Sequence, residues 1–89
     1  MYTEKQIEAW LELETRTLPM PDGASRRHRA MRLVWDVFES LVEDSGYSQT
    51  ELVGYALEEA EIQGIDFEEA FRGTVSWLDD QRRRQRGVL

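Results

Sequence analysis

The side chain best equipped for proton transfer in this chain is His28, its one histidine, and Ser25 lies three residues before it. On a helix that spacing brings hydroxyl and imidazole to one side, the minimum for a nucleophile with its base. Arg27 and Arg29 flank the histidine. Positive charge disfavours the imidazolium that a general base must form. His28 is therefore expected to be a solvated surface histidine, and no catalytic residue is assigned. Metal chemistry meets the same shortage. Carboxylate-bridged di-metal bundles need paired Glu-x-x-His motifs, which one histidine cannot supply, and no stretch follows the EF-hand loop. Glu58, Glu59, Glu61, Glu68 and Glu69 could gather a divalent cation loosely, but glutamates on helix exteriors are ordinarily solvated. Phosphate-cradling loops of the GxxxxGK[ST] or GxGxxG type do not occur. A carboxylate pair for glycoside hydrolysis would need a cleft that so small a helical protein has little room for. The expectation is a protein that is not an enzyme, with no cofactor, no metal and no small-molecule substrate.

Arginine is the other residue type whose spacing carries information. Arg26, Arg27, Arg29 and Arg32 fall within seven residues that hold no acid, and Arg82, Arg83, Arg84 and Arg86 form a second cluster. Between them, residues 33–80 carry thirteen acids and one base, Arg72, and the whole chain has a net charge of −7. An acidic body repels nucleic acid and anionic membrane, while the two clusters attract both. Placed in the first turns of a helix, Arg26, Arg27 and Arg29 oppose the macrodipole and call for compensation. A phosphate, an acidic partner or the chain's own carboxylates would serve, and Asp36 stands four residues after Arg32. A helix-turn-helix made of the third and fourth helices would present Glu68, Glu69, Arg72 and Ser76 to DNA, a mostly acidic surface. Contact with an RNA or DNA backbone through Arg26, Arg27, Arg29 and Arg32, together with the 82–86 cluster, is therefore the alternative functional reading.

The elements that must position these residues read as all-α. In the stretch from Ser25 to Asp44, Met31, Val34, Trp35, Phe38, Leu41 and Val42 recur at helical spacing, widened by Ala30, Leu33 and Val37. At about 100° per residue the apolar arc covers roughly 200°, so this helix must be covered from more than one side. It is read as the central helix of four, at about 4–16, 26–44, 49–63 and 67–85, in a single domain spanning residues 1–89 and arranged as a bundle or orthogonal array. Thr3 with Gln6, and Ser48 with Glu51, have capping-box spacing. Ser25 or Asp22 is the expected cap of the central helix, and Asp66 with Glu69 caps the fourth. Gly46 and Gly64 are expected C-terminal stops. Ile7, Trp10 and Leu11 form the stripe of the first helix. Leu18-Pro19-Met20-Pro21-Asp22-Gly23 is the one plain breaker, a stiff connection with Leu18 and Met20 pinned on the core. The Arg-rich end, 82–89, is expected to prolong the last helix and fray by Val88–Leu89. No strand pattern competes.

At 89 residues without cysteine, the chain has a thin core and no disulfide or thiolate metal site. No apolar run approaches the ~20 residues of a membrane span, and the first ten residues lack the features of a secretory signal. The expectation is a soluble, cytoplasmic protein. What remains is apolar surface off the core stripes. Tyr55 and Ile62 point away from the inner face of the third helix, and Trp77 lies roughly 90° from the centre of the fourth helix's stripe, beside Gly73. Trp, Tyr and Arg are the types enriched at interface hot spots. Gly54 and Gly73 each cost a helix about 1 kcal/mol relative to alanine, and are read either as tolerated exposed positions or as flat spots for a close neighbour. The leading expectation is a small acidic protein in a regulatory, inhibitory or adaptor role, binding another protein or itself as a homodimer through Tyr55, Glu58, Glu59, Ile62, Gly73 and Trp77.

Overall fold

The computed structural model describes residues 1–87, which form α1 (Glu4–Leu11), β1 (Leu13–Pro19), β2 (Ser25–Met31), α2 (Arg32–Ser45), α3 (Gln49–Gln63) and α4 (Phe67–Gly87). Four helices are present as expected, but the all-α helical-bundle reading is overturned. The two strands pair antiparallel from Leu13↔Met31 to Pro19↔Ser25, and the fold is mixed α and β.

The hairpin takes residues from two expected helices. The first ends at Leu11 rather than near Arg16, because the chain becomes extended at Glu12 and the β-branched Thr15 and Thr17 favour a strand. Pro21-Asp22-Gly23 is a hairpin turn, not a link between helices. Gly23 adopts φ +89°, its N–H donates to the Met20 carbonyl at 3.0 Å, and the Asp22 carboxylate accepts the Ala24 N–H at 2.9 Å. Ser25 opens β2 instead of capping a helix. The central helix starts at Arg32, after an extended Met31 that supplies no side-chain cap.

Side chains alternate across the strands with period two. Leu18 and His28 point inward and are buried. On the same side Arg16 lies 5.2 Å from the Trp35 ring centroid, and Arg26 lies 4.4 Å from that of Phe67. Cations resting on aromatic faces thus occupy places where a half-buried strand usually carries aliphatics. The expected pinning of Leu18 on the core holds, and Met20 packs against it.

The C-terminal half follows its sequence signals closely. Ser48 and Glu51 close the capping box of α3, Gly46 and Gly64 are left-handed, and Asp66 accepts the Glu69 N–H at 2.8 Å. The core joins Val34, Trp35, Phe38 and Leu41 of α2, Leu52, Val53 and Ala56 of α3, and Phe67, Phe71, Val75 and Leu78 of α4. α4 packs against α3, α2 and β2, and α2 against α4, α1 and β2. α1 has a formed capping box but no buried residue, and Ile7 and Leu11 stay exposed, as do Leu13 and Leu33. A Cβ at Gly54 would stand 3.8 Å from Pro21 of the hairpin turn, whereas one at Gly73 would meet nothing within 4 Å. The expected fraying at Val88–Leu89 lies outside the described residues. No helix among the described residues is long and apolar enough to cross a membrane.

Candidate functional site

The three-residue link 64–66 joins α3 to α4, which pack on one another, and an open groove of about 870 Å3 runs between them. Each wall is a row at i, i+4, i+8, the spacing that aligns side chains along one helix face. Tyr55, Glu59 and Gln63 line it from α3, and Glu69, Gly73 and Trp77 line it from α4. Ala70, Thr74 and Leu78 also line the groove and are buried. Tyr47 closes one end with its ring edge-on to Tyr55, the centroids 6.3 Å apart. Trp77 is 61% exposed and Tyr55 44% exposed, so neither rim aromatic belongs to the core.

Of the six residues expected to form a partner surface, the structure brings Tyr55, Glu59, Gly73 and Trp77 together here. Glu58 and Ile62 do not line the groove. Both face solvent on α3, and Ile62 is 68% exposed. Tyr47 was missed by the sequence reading. Its signal was its place just before the Ser48 N-cap, where an apolar residue commonly staples the helix entry.

The first arginine cluster sits elsewhere. Arg27 and Arg29 project from the outer side of β2, opposite Thr17 and Thr15 of β1. Arg26 rests on Phe67, and Arg32 opens α2. The expected conflict of Arg26, Arg27 and Arg29 with a helix dipole does not arise, because these residues are on a strand. The anticipated Arg32–Asp36 pair does not form, and none of these four arginines makes an ion pair among the described residues.

The second cluster is engaged within the fold. Arg82 donates to Asp79 at 2.5 Å and to the Ser40 hydroxyl of α2 at 2.8 Å, with its Nε buried and unpartnered. Arg83 and Arg84 pair along the helix with Asp79 and Asp80 at 3.1 and 3.0 Å.

His28 is not the solvated histidine expected from its arginine neighbours. Only 3% exposed, it lies 4.7, 5.1 and 5.7 Å, centroid to centroid, from Phe71, Phe67 and Trp35. Burial pushes its pKa below the ordinary histidine value; Glu68 opposes that shift and Arg26 adds to it. Ser25 pairs with Pro19 at the far end of the hairpin. Three residues along a strand span about 10 Å, so Ser25 cannot serve His28 as it would one helical turn away. Among the described residues no three His, Cys, Asp or Glu side chains gather as a metal site.

Compared with protein-family models, with curated proteins and with solved structures, the chain matches none.

Proposed function

We propose that this is a non-catalytic binding protein whose α3–α4 groove receives a segment of a protein partner, in a regulatory, inhibitory or adaptor role within the cytoplasm. The observation that carries the reading is the convergence of exposed Tyr55 and Trp77 on one groove with Gly73 bare in its wall. Aromatic anchors around a flat apolar floor are the usual centre of a protein interface, and the carboxylates of Glu59 and Glu69 suit a partner carrying basic groups. The test replaces Tyr55→Ala and Trp77→Ala separately. Circular dichroism should show both variants folded, while self-association or capture of the native partner drops by tenfold or more, the minimum for about 1.4 kcal/mol per anchor. Unfolding of both variants would make these residues structural, and undiminished binding by both would remove the groove from consideration.

A second reading draws on the hairpin. Arg27 and Arg29 stand on its outer side beside Thr15 and Thr17, without a carboxylate partner among the described residues. That surface suits the phosphates of RNA or DNA. Arg27→Gln with Arg29→Gln should then weaken binding to a single-stranded oligonucleotide and flatten its salt dependence by about 1.4 units of slope. No binding of the wild-type chain at low salt would end this reading.

A further inference from the structure

Resting on the nucleic-acid reading of the hairpin, we infer that the partner is double-helical DNA and that the outer face of the β1–β2 ribbon enters its major groove. Thr15 stands opposite Arg29 and Thr17 opposite Arg27, and all four are exposed. Residues two apart on a strand share a face at about 6.8 Å, so the four side chains form one block. The outward positions of both strands hold no acid. From Leu13 to Arg32 the chain has five arginines against Glu14 and Asp22. Both acids are engaged, since Glu14 bridges Arg16 and the Asp22 carboxylate accepts the Ala24 N–H in the turn. Beyond these, Glu12 precedes β1 and Asp36 follows Arg32 on α2, while Glu4 and Glu8 lie on α1, which contacts α2. The other acids are on α2, α3 and α4, which pack on the hairpin's inner side around Leu18 and His28. Packed layers lie about 10 Å apart, close to one Debye length at about 0.1 M salt. A duplex in front of the ribbon is thus largely screened from the acidic body behind it.

The face selects a duplex over a single strand. Proteins that hold unpaired strands stack the bases on aromatic side chains. No outward position of the ribbon is aromatic, and Trp35, Phe67 and Phe71 all lie on the inner side against His28. The B-form major groove, about 12 Å wide, admits a two-stranded ribbon, whose strands run about 4.8 Å apart. In double-stranded RNA the A-form major groove is too deep and narrow for side chains to read. The residue types agree with the DNA groove. A guanidinium matches the O6 and N7 of guanine, and a threonine methyl packs on the C5-methyl of thymine. Arg32, which has no ion pair among the described residues, adds a cation at the base of the ribbon.

Fluorescence anisotropy at low salt tests this with a G·C-containing DNA duplex, one of its single strands and the matching RNA duplex. The wild-type chain should bind the DNA duplex roughly tenfold or more tightly than either other probe. Arg27→Gln with Arg29→Gln, at exposed positions and so folded by circular dichroism, should weaken duplex binding by roughly tenfold or more. Arg27→Lys with Arg29→Lys keeps the charge but not the planar fork, so binding should persist while its preference for guanine-containing over A·T-only duplexes is lost. Guanine replaced by 7-deazaguanine lacks the N7 acceptor at unchanged charge, and wild-type binding to that duplex should fall several-fold. Equal or tighter binding of the single strand or the RNA duplex overturns the duplex inference and leaves the phosphate reading standing. Indifference to 7-deazaguanine overturns entry into the groove, again sparing phosphate contact. Duplex binding undiminished by Arg27→Gln with Arg29→Gln overturns the hairpin face as the site. No binding to any of the three probes overturns this inference together with the reading beneath it.

Discussion

His28 has an unusual position for a histidine between arginines, and its setting has a consequence for stability. The ring is packed by Trp35, Phe67 and Phe71 and makes no hydrogen bond among the described residues. The charged groups around it are Arg26 on its own strand, Arg16 directly opposite in the ladder, and Glu68 on α4. Burial, reinforced by Arg26 and countered by Glu68, lowers its pKa in the folded chain. The unfolded chain therefore binds the proton first as pH falls, and unfolding gains protons in the window below the ordinary histidine pKa of about 6.5. Stability is full above that value and declines as pH drops toward the folded pKa. Thermal unfolding between pH 7.5 and about 5 should show Tm falling with acidification, and His28→Leu should flatten that slope while keeping the aromatic packing. An unchanged slope in His28→Leu would assign the acid sensitivity to other groups. The sequence hid this residue because its neighbours at 27 and 29 face the opposite side of a strand, and the helical reading put all three in solvent.

The hairpin shows what kind of element the sequence concealed. α3 and the start of α4 were legible to the residue, because Ser48, Glu51, Gly64 and Asp66 each mark a boundary through a local hydrogen bond or a left-handed backbone. β1 and β2 lacked such marks. Their inward positions include Glu14, Arg16, Arg26 and His28, which are accommodated by contacts with Trp35, Phe67 and Glu39 that only tertiary structure provides. With only Leu18 as a buried aliphatic in either strand, no apolar alternation could be read. The flanking Leu13, Ala30 and Met31 fell at helical spacing from the neighbouring stripes and were absorbed into them. The Trp35 indole donates to the Glu14 carbonyl at 2.8 Å, tying β1 to α2 from the side. What closes the hairpin is Gly23 at φ +89°. A methyl group on its Cα would meet no neighbour within 4 Å, so a substitution there acts through backbone strain alone. Gly23→Ala should cost about 1–2 kcal/mol, the left-handed penalty for a residue with a Cβ. On a domain of this size that lowers Tm by roughly 4–16 °C. Differential scanning fluorimetry reads this directly, and an unchanged Tm would show that the hairpin contributes little to the cooperative fold. For the groove, sequence spacing found Tyr55, Glu59, Gly73 and Trp77 because each lies off its own helix's core stripe. Ile62 satisfies the same rule yet misses the groove, since which flank of α3 faces α4 depends on packing.

At the scale of the molecule, small size and uneven charge act together. A chain of 89 residues buries a limited core, and at roughly 0.05–0.15 kcal/mol per residue its stability amounts to about 4–13 kcal/mol. Here α1 adds no buried side chain, and Tyr55, Ile62 and Trp77 remain exposed. Association that covers the groove would therefore be a large addition to a small total. The net charge of −7 opposes bringing two copies together. If self-pairing links to folding, stability rises with protein concentration by RT ln(1 + [L]/Kd), about 2.7 kcal/mol at a hundred times Kd. Tm of the wild-type chain should then climb by roughly 10–20 °C across a dilution series that spans the dissociation constant. Trp77→Ala should unfold at one temperature throughout, near that of the dilute wild type, because Trp77 contributes to the contact and not to the core. Gly73→Ala separates the two effects further. Its methyl group should raise the dilute Tm through about 1 kcal/mol of helix propensity, and it should reduce the climb with concentration if association covers the bare wall of the groove. A wild-type Tm independent of concentration would mean that the fold stands alone and that the groove serves a different molecule.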